Sequence, residues 1–474
     1  MSQNENLTRR SATEIKAMLE KRDISVTDLI EATLAQIDTY NEKINAVVTL
    51  NERALDDAKR LDANTKKGQP LKPLHGLPVG IKDVTPVAGL RTTFGSPLYA
   101  DYVPKEDALV VSRLREAGAI IIGKTNCPEF AAGGNTFNDV FGCTRNPWDP
   151  ALSPGGSTGG GAAGLVTGMM ALAEGTDLGG SLRIPASFCG IVGLRPSPGL
   201  IPTYPSDYLW DNMQVTGTMA RTAEDIALSL QALSGQNPLC PVYQPTKGRD
   251  FLANIETGLP QSLRIAYCKD ISGIGVEESI ETACRAAAFD LKQAGAVVEE
   301  IEFDLTFGRK AFLAIRGYWM VAHQYKRLDK TEQLGSNVAG NIEAGLALNM
   351  EEFAEAEQAR GKIWQIFRDF FSKYDFLLTP CMAVPPFPVE QNYPETIAGK
   401  KMKNYVDWIA PTFTLSLTSL PVASVPCGLD KSGLPAGLQI VGPPLGEEKV
   451  LTVAKQIQQM QPIGLPDLEQ LNQK

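Results

Sequence analysis

The sequence predicts an α/β fold: a mixed, largely parallel β-sheet core covered by helices on both faces. Three observations carry this. From Leu74 onward short apolar runs alternate with helical stretches, the pattern of strands joined by crossover helices. The runs themselves, Leu77 to Ile81 and Ala119 to Ile122 among them, are apolar throughout, as strands buried on both faces are. The chain has 474 residues, 43% of them hydrophobic, enough to fill one extended core.

In chain order, Ser11-Ala12-Thr13-Glu14 is a capping box opening a short helix. Ser25 to Asp28 opens a second helix, with Ile30, Leu34 and Ile37 on one face. Residues 1 to about 66 thus read as a helical segment lying on the main body, and Asn64 to Pro73 as a polar, basic, solvated loop. Strand Leu77 to Ile81 follows, then a helix near Asp107 to Glu116, strand Ala119 to Ile122 and a Gly- and Ala-rich helix from Gly161 to Ala171. Beyond Pro202, strands Leu263 to Tyr267 and Val297 to Ile301 flank a helix from about Glu277 to Gln293. Residues 309 to 374 read as long helices, with the glutamate-rich part at 351 to 357 a solvated face. Phe376 to Thr379, Val422 to Val425 and Gly437 to Val441 return to the sheet before a terminal helix, and Pro380 to Pro388 is a proline-rich loop. The expectation is a single domain, 1–474, with a core at 74–200, a variable region at about 202–375 and a closing part at 376–474.

Within the core, the stretch Ser153 to Pro196 holds two glycine-embedded hydroxyls, Ser157 and Ser181. Glycine at 155, 156, 159, 160, 161, 179 and 180 leaves the backbone bare, so successive amides can cradle a negative oxygen. A phosphate loop would need G-x-x-x-x-G-K-[ST], and neither run has that lysine. The hydroxyls point to acyl transfer, where the cradled oxygen is an oxyanion.

A serine needs a partner to take its proton. Gly155 to Gly159 fits G-x-S-x-G, but that motif calls for a histidine downstream. Of the two histidines, His75 precedes both serines and His323 reads as a packing residue in a helix beside Trp319, Met320 and Tyr325. The better base is Lys82, which follows the buried run Leu77, Val79, Ile81 into a loop; burial would lower its pKa from about 10.4 toward roughly 7 to 8.

These motifs resemble the amidase signature family of serine hydrolases. The resemblance rests on Gly80-Ile81-Lys82-Asp83, Gly123-Lys124-Thr125-Asn126, Arg145-Asn146-Pro147-Trp148, Ser153 to Gly161, and Gly175 to Ser181 running on through Ile184-Pro185-Ala186 to Gly193-Leu194. It extends to Leu420-Pro421, Pro426 and Gly433 to Gln439. It implies the amidase signature fold, with Ser181 as acylated nucleophile, Ser157 as bridging serine after a cis Gly156–Ser157 bond and Lys82 as terminal base. The amides of Leu178, Gly179, Gly180 and Ser181 would form the oxyanion hole, and Asp177 and Arg183 would brace that loop. Thr158 stands where the family usually has a second serine; its hydroxyl is expected to keep a supporting hydrogen bond while its methyl narrows the site. Ala131 occupies a ligand-contacting position, and Tyr204, Trp210, Tyr318, Trp319, Ile409 and Phe413 are apolar candidates for the pocket wall, suited to aryl or aliphatic acyl groups.

The expected reaction is hydrolysis of carboxylic amides, with esters or carbamates open to the same acyl-enzyme and no cofactor. The alternative within the family is the glutaminase subunit of a tRNA-dependent amidotransferase, but Ile409 falls where such subunits carry an acid, with Asp407 two positions away. A non-catalytic scaffold is disfavoured by the intact Lys82, Ser157 and Ser181.

Composition narrows the class further. The 45 Lys and Arg against 54 Asp and Glu give −9, which argues against a nucleic-acid surface and for small neutral substrates. Eight scattered cysteines without a C-x-x-C pair read as reduced packing residues, Cys189 included, and suggest no metal site. The polar start MSQNENLTRR and the absence of a long apolar run predict a cytoplasmic protein with no membrane contact. The expected partner is a small-molecule amide, with a homodimer left open.

Overall fold

The computed structural model describes residues 7–260 and 262–473; the first six positions of the polar N-terminus lie outside them. Both capping boxes form. Ser11 Oγ accepts from Glu14 N and opens α1 (Ala12–Lys21), and Ser25 does the same with Asp28 at the start of α2 (Val26–Ile44).

The N-terminal segment is not helical throughout, in contrast to the expectation from sequence. Asn45 ends α2 in the left-handed conformation. The Asn41 side chain then clamps the turn, accepting from Ala46 N and Val47 N and donating to Val47 O at 2.7 Å. The chain is thereby aimed into β1 (Val47–Leu50), an edge strand of the main sheet. The polar stretch after it also differs from expectation: α3 (Ala54–Lys66) takes in Asn64 to Lys66 before the loop begins.

The remaining sheet strands are β2 (Pro78–Lys82), β3 (Ile120–Thr125), β4 (Leu172–Asp177), β5 (Val192–Arg195) and β6 (Val215–Ala220). They are followed by β7 (Arg264–Tyr267), β8 (Val297–Glu300), β9 (Phe376–Pro380), β10 (Val422–Leu429) and β11 (Pro435–Val441). Their order across the 11-stranded sheet is β1-β3-β2-β4-β6-β5-β10-β11-β9-β7-β8.

The sheet is mixed, as expected, and its parallel character is confined to two blocks. β2 pairs parallel with β3 and β4, and β7 with β8 and β9. Between them β4, β6, β5, β10, β11 and β9 run antiparallel to their neighbours, and β1 pairs antiparallel with β3 at one edge. Every residue of β2 to β6 is buried. Because successive side chains point to opposite faces, unbroken burial means that both faces are covered.

Helices α4 (Leu109–Glu116), α5 (Gly159–Val166), α6 (Arg183–Cys189), α7 (Ala223–Leu233) and α8 (Glu278–Asp290) connect these strands. The region after β8 carries α9 (Gly308–Gln324), α10 (Ser336–Leu346), α11 (Met350–Phe370) and α12 (Ala410–Ser416), and α13 (Glu447–Met460) closes the fold. No helix of the described residues is long and apolar enough to cross a membrane.

Two shifts of boundary bear on the site. β2 runs one residue further than predicted, so Lys82 is its last residue and not the first of a loop. The helix after Ser157 begins at Gly159 and stops at Val166, because Gly168 turns the chain with φ +77°.

Close approach of α5 to the β3 end depends on Gly160, where a β-carbon would stand within 3.0 Å of Asn126 N and Ala46 O. Gly361, exposed within α11, has nothing within 4 Å of its missing β-carbon. Gly160→Ala is therefore expected to destabilise the protein by at least about 1–3 kcal/mol. Gly361→Ala should stabilise it by about 0.5–1 kcal/mol. Urea unfolding of the two variants checks both signs.

Candidate active site

β2 and β4 lie side by side and parallel, with Ile81 opposite Glu174, so both strands deliver their carboxyl ends to one place. Lys82, last in β2, has no exposed surface, and its Nζ donates to Ser157 Oγ at 2.7 Å and Thr176 Oγ1 at 3.1 Å. Burial drives the Lys82 ammonium down to about 8, and the negative field of Glu174 and Asp177 limits the drop. A lysine in that range is uncharged often enough near neutral pH to accept a proton.

Ser157 is wholly buried, and the Gly156–Ser157 peptide is cis. Thr158 follows, and its backbone N–H donates to Ser181 O at 3.2 Å, tying the two serine loops together. The expected supporting bond from the Thr158 hydroxyl is not made: Oγ1 is buried without a hydrogen-bond partner among the described residues. The side chain is turned against Gly175, whose bare Cα leaves it room. Ser181, in contrast to Ser157, is only partly buried and lines a cavity.

The loop carrying Ser181 is held from beneath by Asp177. Its carboxylate accepts from Gly180 N (2.8 Å) and Leu182 N (3.2 Å), and from Arg183 Nε and Nη2 at 3.0 Å each. Arg195 Nη1 adds a contact at 3.3 Å. All three side chains are fully buried, so Asp177 and Arg183 form no surface pair. Burial pushes the Asp177 carboxyl up, but the two guanidiniums and these hydrogen bonds outweigh it and hold it well below the usual carboxylate range. Burial lowers Arg195 to about 10.

This bracing corrects one predicted role. The Gly180 amide is committed to Asp177 and is not free for an oxyanion, whereas the Gly179 and Ser181 amides make no such bond. Gly180 itself turns with φ +125°, a conformation that only glycine adopts readily.

Near Lys82 lies a second buried set, of which the sequence motifs mark only Asp83 and Lys124. Glu174 accepts from Lys82 N (3.1 Å) and Thr85 Oγ1 (2.9 Å), and burial raises its carboxyl. Lys124, lowered by burial to about 8, bonds Thr85 O and Thr92 Oγ1 and lies 4.0 Å from Asp83.

The cavity at Ser181 is lined by Phe130, Ala131, Thr176, Leu178, Gln214, Arg316, Trp319 and Met320, among others. Of the pocket residues named from sequence, Ala131 and Trp319 are brought to it. Ile409 and Phe413 are buried beside Gly179 and are not among the lining residues, with Phe413 stacked on Phe312 at 4.2 Å. Tyr204, Trp210 and Tyr318 are not among the lining residues; Trp210 is 70% exposed, and Tyr318 packs on Tyr208 and Phe353. Nothing in the sequence pattern singles out Arg316.

Neither histidine reaches the serines: His75 pairs with Thr65 Oγ1, and His323 with Asp211 at 3.3 Å while stacking on Trp319. All eight cysteines are free thiols. Cys189 has no exposed surface and burial raises its thiol, which suits packing and not chemistry.

The family model described as Amidase matches residues 28–451. The chain is 34% identical to a glutamyl-tRNA(Gln) amidotransferase subunit of Geobacillus kaustophilus, over 95% of this chain and 96% of that one. It is 33% identical to an acylamidase of Rhodococcus erythropolis, with 97% of each covered. Among solved structures, a bacterial aryl acylamidase of the amidase signature family superposes with a TM-score of 0.90 at 25% identity, covering 97% of both chains.

Removing the Asp177 charge would leave two guanidiniums buried without an anion. Asp177→Asn is expected to cost about 3–5 kcal/mol of stability. Denaturant unfolding of the purified variant reads this directly.

Proposed function

The chain belongs to the amidase signature family, and from that premise we propose that it hydrolyses C–N bonds of linear carboxylic amides through an acyl-enzyme on Ser181. One observation carries the reading: a fully buried lysine lowered to about 8, at 2.7 Å from the buried Ser157 hydroxyl, beside the one serine loop that opens to a cavity.

With Lys82 uncharged, its Nζ accepts the Ser157 proton while Ser157 takes that of Ser181, whose Oγ attacks the carbonyl carbon. The developing oxyanion lies toward the Leu178, Gly179 and Ser181 amides. Ser157 then passes a proton to the leaving nitrogen, and ammonia or an amine departs. Water cleaves the acyl-enzyme by the reverse relay, releasing the carboxylic acid. The same acyl-enzyme would serve esters and carbamates. No step calls for a cofactor, and a chain of free thiols suits the reducing cytoplasm.

The similarity to the glutamyl-tRNA(Gln) amidotransferase chain favours a second reading, that of a glutaminase subunit. Against it, Asp407 is already spent on Arg309 and on Lys403 N, and Ile409 is apolar and buried beside Gly179. Neither supplies a free acid for an α-ammonium.

Ser181→Ala should abolish release of ammonia or amine from amides while the fold survives, as judged by circular dichroism. Lys82→Ala should lower kcat/KM by about 10²–10⁴-fold. Hydrolysis of L-glutamine alone, or only with an added partner protein, would transfer the assignment to the second reading.

The pH dependence has a definite sign. Protonated Lys82 cannot accept a proton, so kcat/KM should rise with pH and level off above about 8. A flat profile from about pH 5 to 9, with chemistry rate-limiting, would remove the neutral lysine from the mechanism.

A further inference from the structure

Arg316 stands apart from the other buried arginines of the site. It lines the Ser181 cavity from α9 and is only 5% exposed. Its Nε donates to Asn341 Oδ1 and its Nη2 to Tyr405 OH, each at 2.9 Å, and the Tyr405 ring lies 5.8 Å from its guanidinium carbon. Both partners are neutral. Arg183 and Arg195 share Asp177, whereas Arg316 has no carboxylate within ion-pairing reach among the described residues. Its third nitrogen, Nη1, bonds no described residue and is not among the buried unsatisfied atoms, so it keeps some exposed surface on a side chain that lines the cavity.

The guanidinium is also held in place. The backbone of Gly317 packs against Gly345, which seats α9 on α10 closely enough for Asn341 to reach Arg316. Asn337, one turn earlier, donates to Ala132 O at 3.0 Å and fixes α10 to another lining residue of the same cavity. A desolvated, preorientated cation with an open donor is costly to keep unless an anion fills the place. The other named lining residues, Phe130, Thr176, Leu178, Gln214, Trp319 and Met320, are uncharged, so the cavity carries one positive charge and no negative one.

We propose that Arg316 is a specificity-determining residue that binds a carboxylate of the substrate, which makes the preferred substrates amides bearing one negative charge and no ammonium group. This rests on the amide-hydrolase reading above and departs from the neutral substrates that the net charge suggested. Half-amides of dicarboxylic acids are the simplest class: amide plus water gives the dicarboxylate and ammonia, with the distal carboxylate unchanged on Arg316. The absence of an acid in the cavity disfavours zwitterions such as L-glutamine.

The test compares three amides of similar shape in the full-length protein: glutaramate, L-glutamine and neutral pentanamide. The kcat/KM for glutaramate should exceed that for each of the others by about 10- to 100-fold, the range expected of one charge-assisted pair. In Arg316→Gln that ratio should collapse toward one, and Arg316→Lys should restore part of it. A wild-type ratio near one, or a ratio that survives in Arg316→Gln, would overturn the proposal while leaving amide hydrolysis intact. Should Arg316→Gln fail to fold, glutarate must still inhibit the wild type more strongly than pentanamide does; equal or weaker inhibition would overturn the proposal. If no amide is turned over, calorimetric binding of glutarate to Ser181→Ala, lost in Ser181→Ala/Arg316→Gln, separates the anion site from the hydrolase reading.

Discussion

Asp177 is the charge on which the site depends. It ends β4, accepts from two amides of the Ser181 loop and pairs with two guanidiniums from α6 and β5. Arg183 extends the network outward to Thr412 O, Ser416 Oγ and Gln439 Oε1, on α12 and β11. Arg195 adds Met213 O and Ser416 O. One buried carboxylate thus joins four parts of the fold around one loop. Loss of Asp177 is the costly change, since it leaves both guanidiniums buried without an anion. The loop inherits that rigidity, with its Gly180 amide spent on Asp177.

The electrostatics on the other side of Ser157 are arranged in the opposite sense. Asp177 is held ionised by paired cations, while the Lys82 amine has only hydroxyls within hydrogen-bond range among the described residues. Hydroxyls stabilise an ammonium less than a carboxylate does, so burial wins and the proton is loosely held. The nearby acid, Glu174, bonds the Lys82 backbone and not its amine. Its position lets it moderate the amine's pKa without capturing the proton.

Those features of the site that sit in contiguous motifs were legible in the sequence: the two serine loops, the lysine after an apolar run, the capping boxes at Ser11 and Ser25. They are local patterns, with glycine and short-range hydrogen bonding as the signal. What escaped is relational. The strand Val47–Leu50 is four residues long, and its direction is set by a clamp from Asn41 that no periodicity reveals. The loss of the Gly180 amide to Asp177 depends on a loop geometry that exists only in three dimensions. Trp210 and Trp319 are alike as letters, yet one is 70% exposed and the other lines the cavity. Arg316 looks in the sequence like any solvated helix residue, because a buried arginine is recognisable only by what it lacks around it.

Lys124 shows why a shifted pKa does not by itself identify a base. Burial lowers it to about 8, as it does Lys82, and the two strands that carry them are neighbours. The difference lies in what each amine touches. Lys124 donates to the Thr85 carbonyl and the Thr92 hydroxyl and faces Asp83 at 4.0 Å, with no hydrogen bond to Ser157 or Ser181. Lys82 faces a serine hydroxyl, which can return a proton along the same line. Register decides between them: Lys82 pairs with Thr125, one residue beyond Lys124, and in a strand one residue reverses the face to which a side chain points. The chemistry of the site is therefore set by the register of two parallel strands as much as by the identity of the residues upon them.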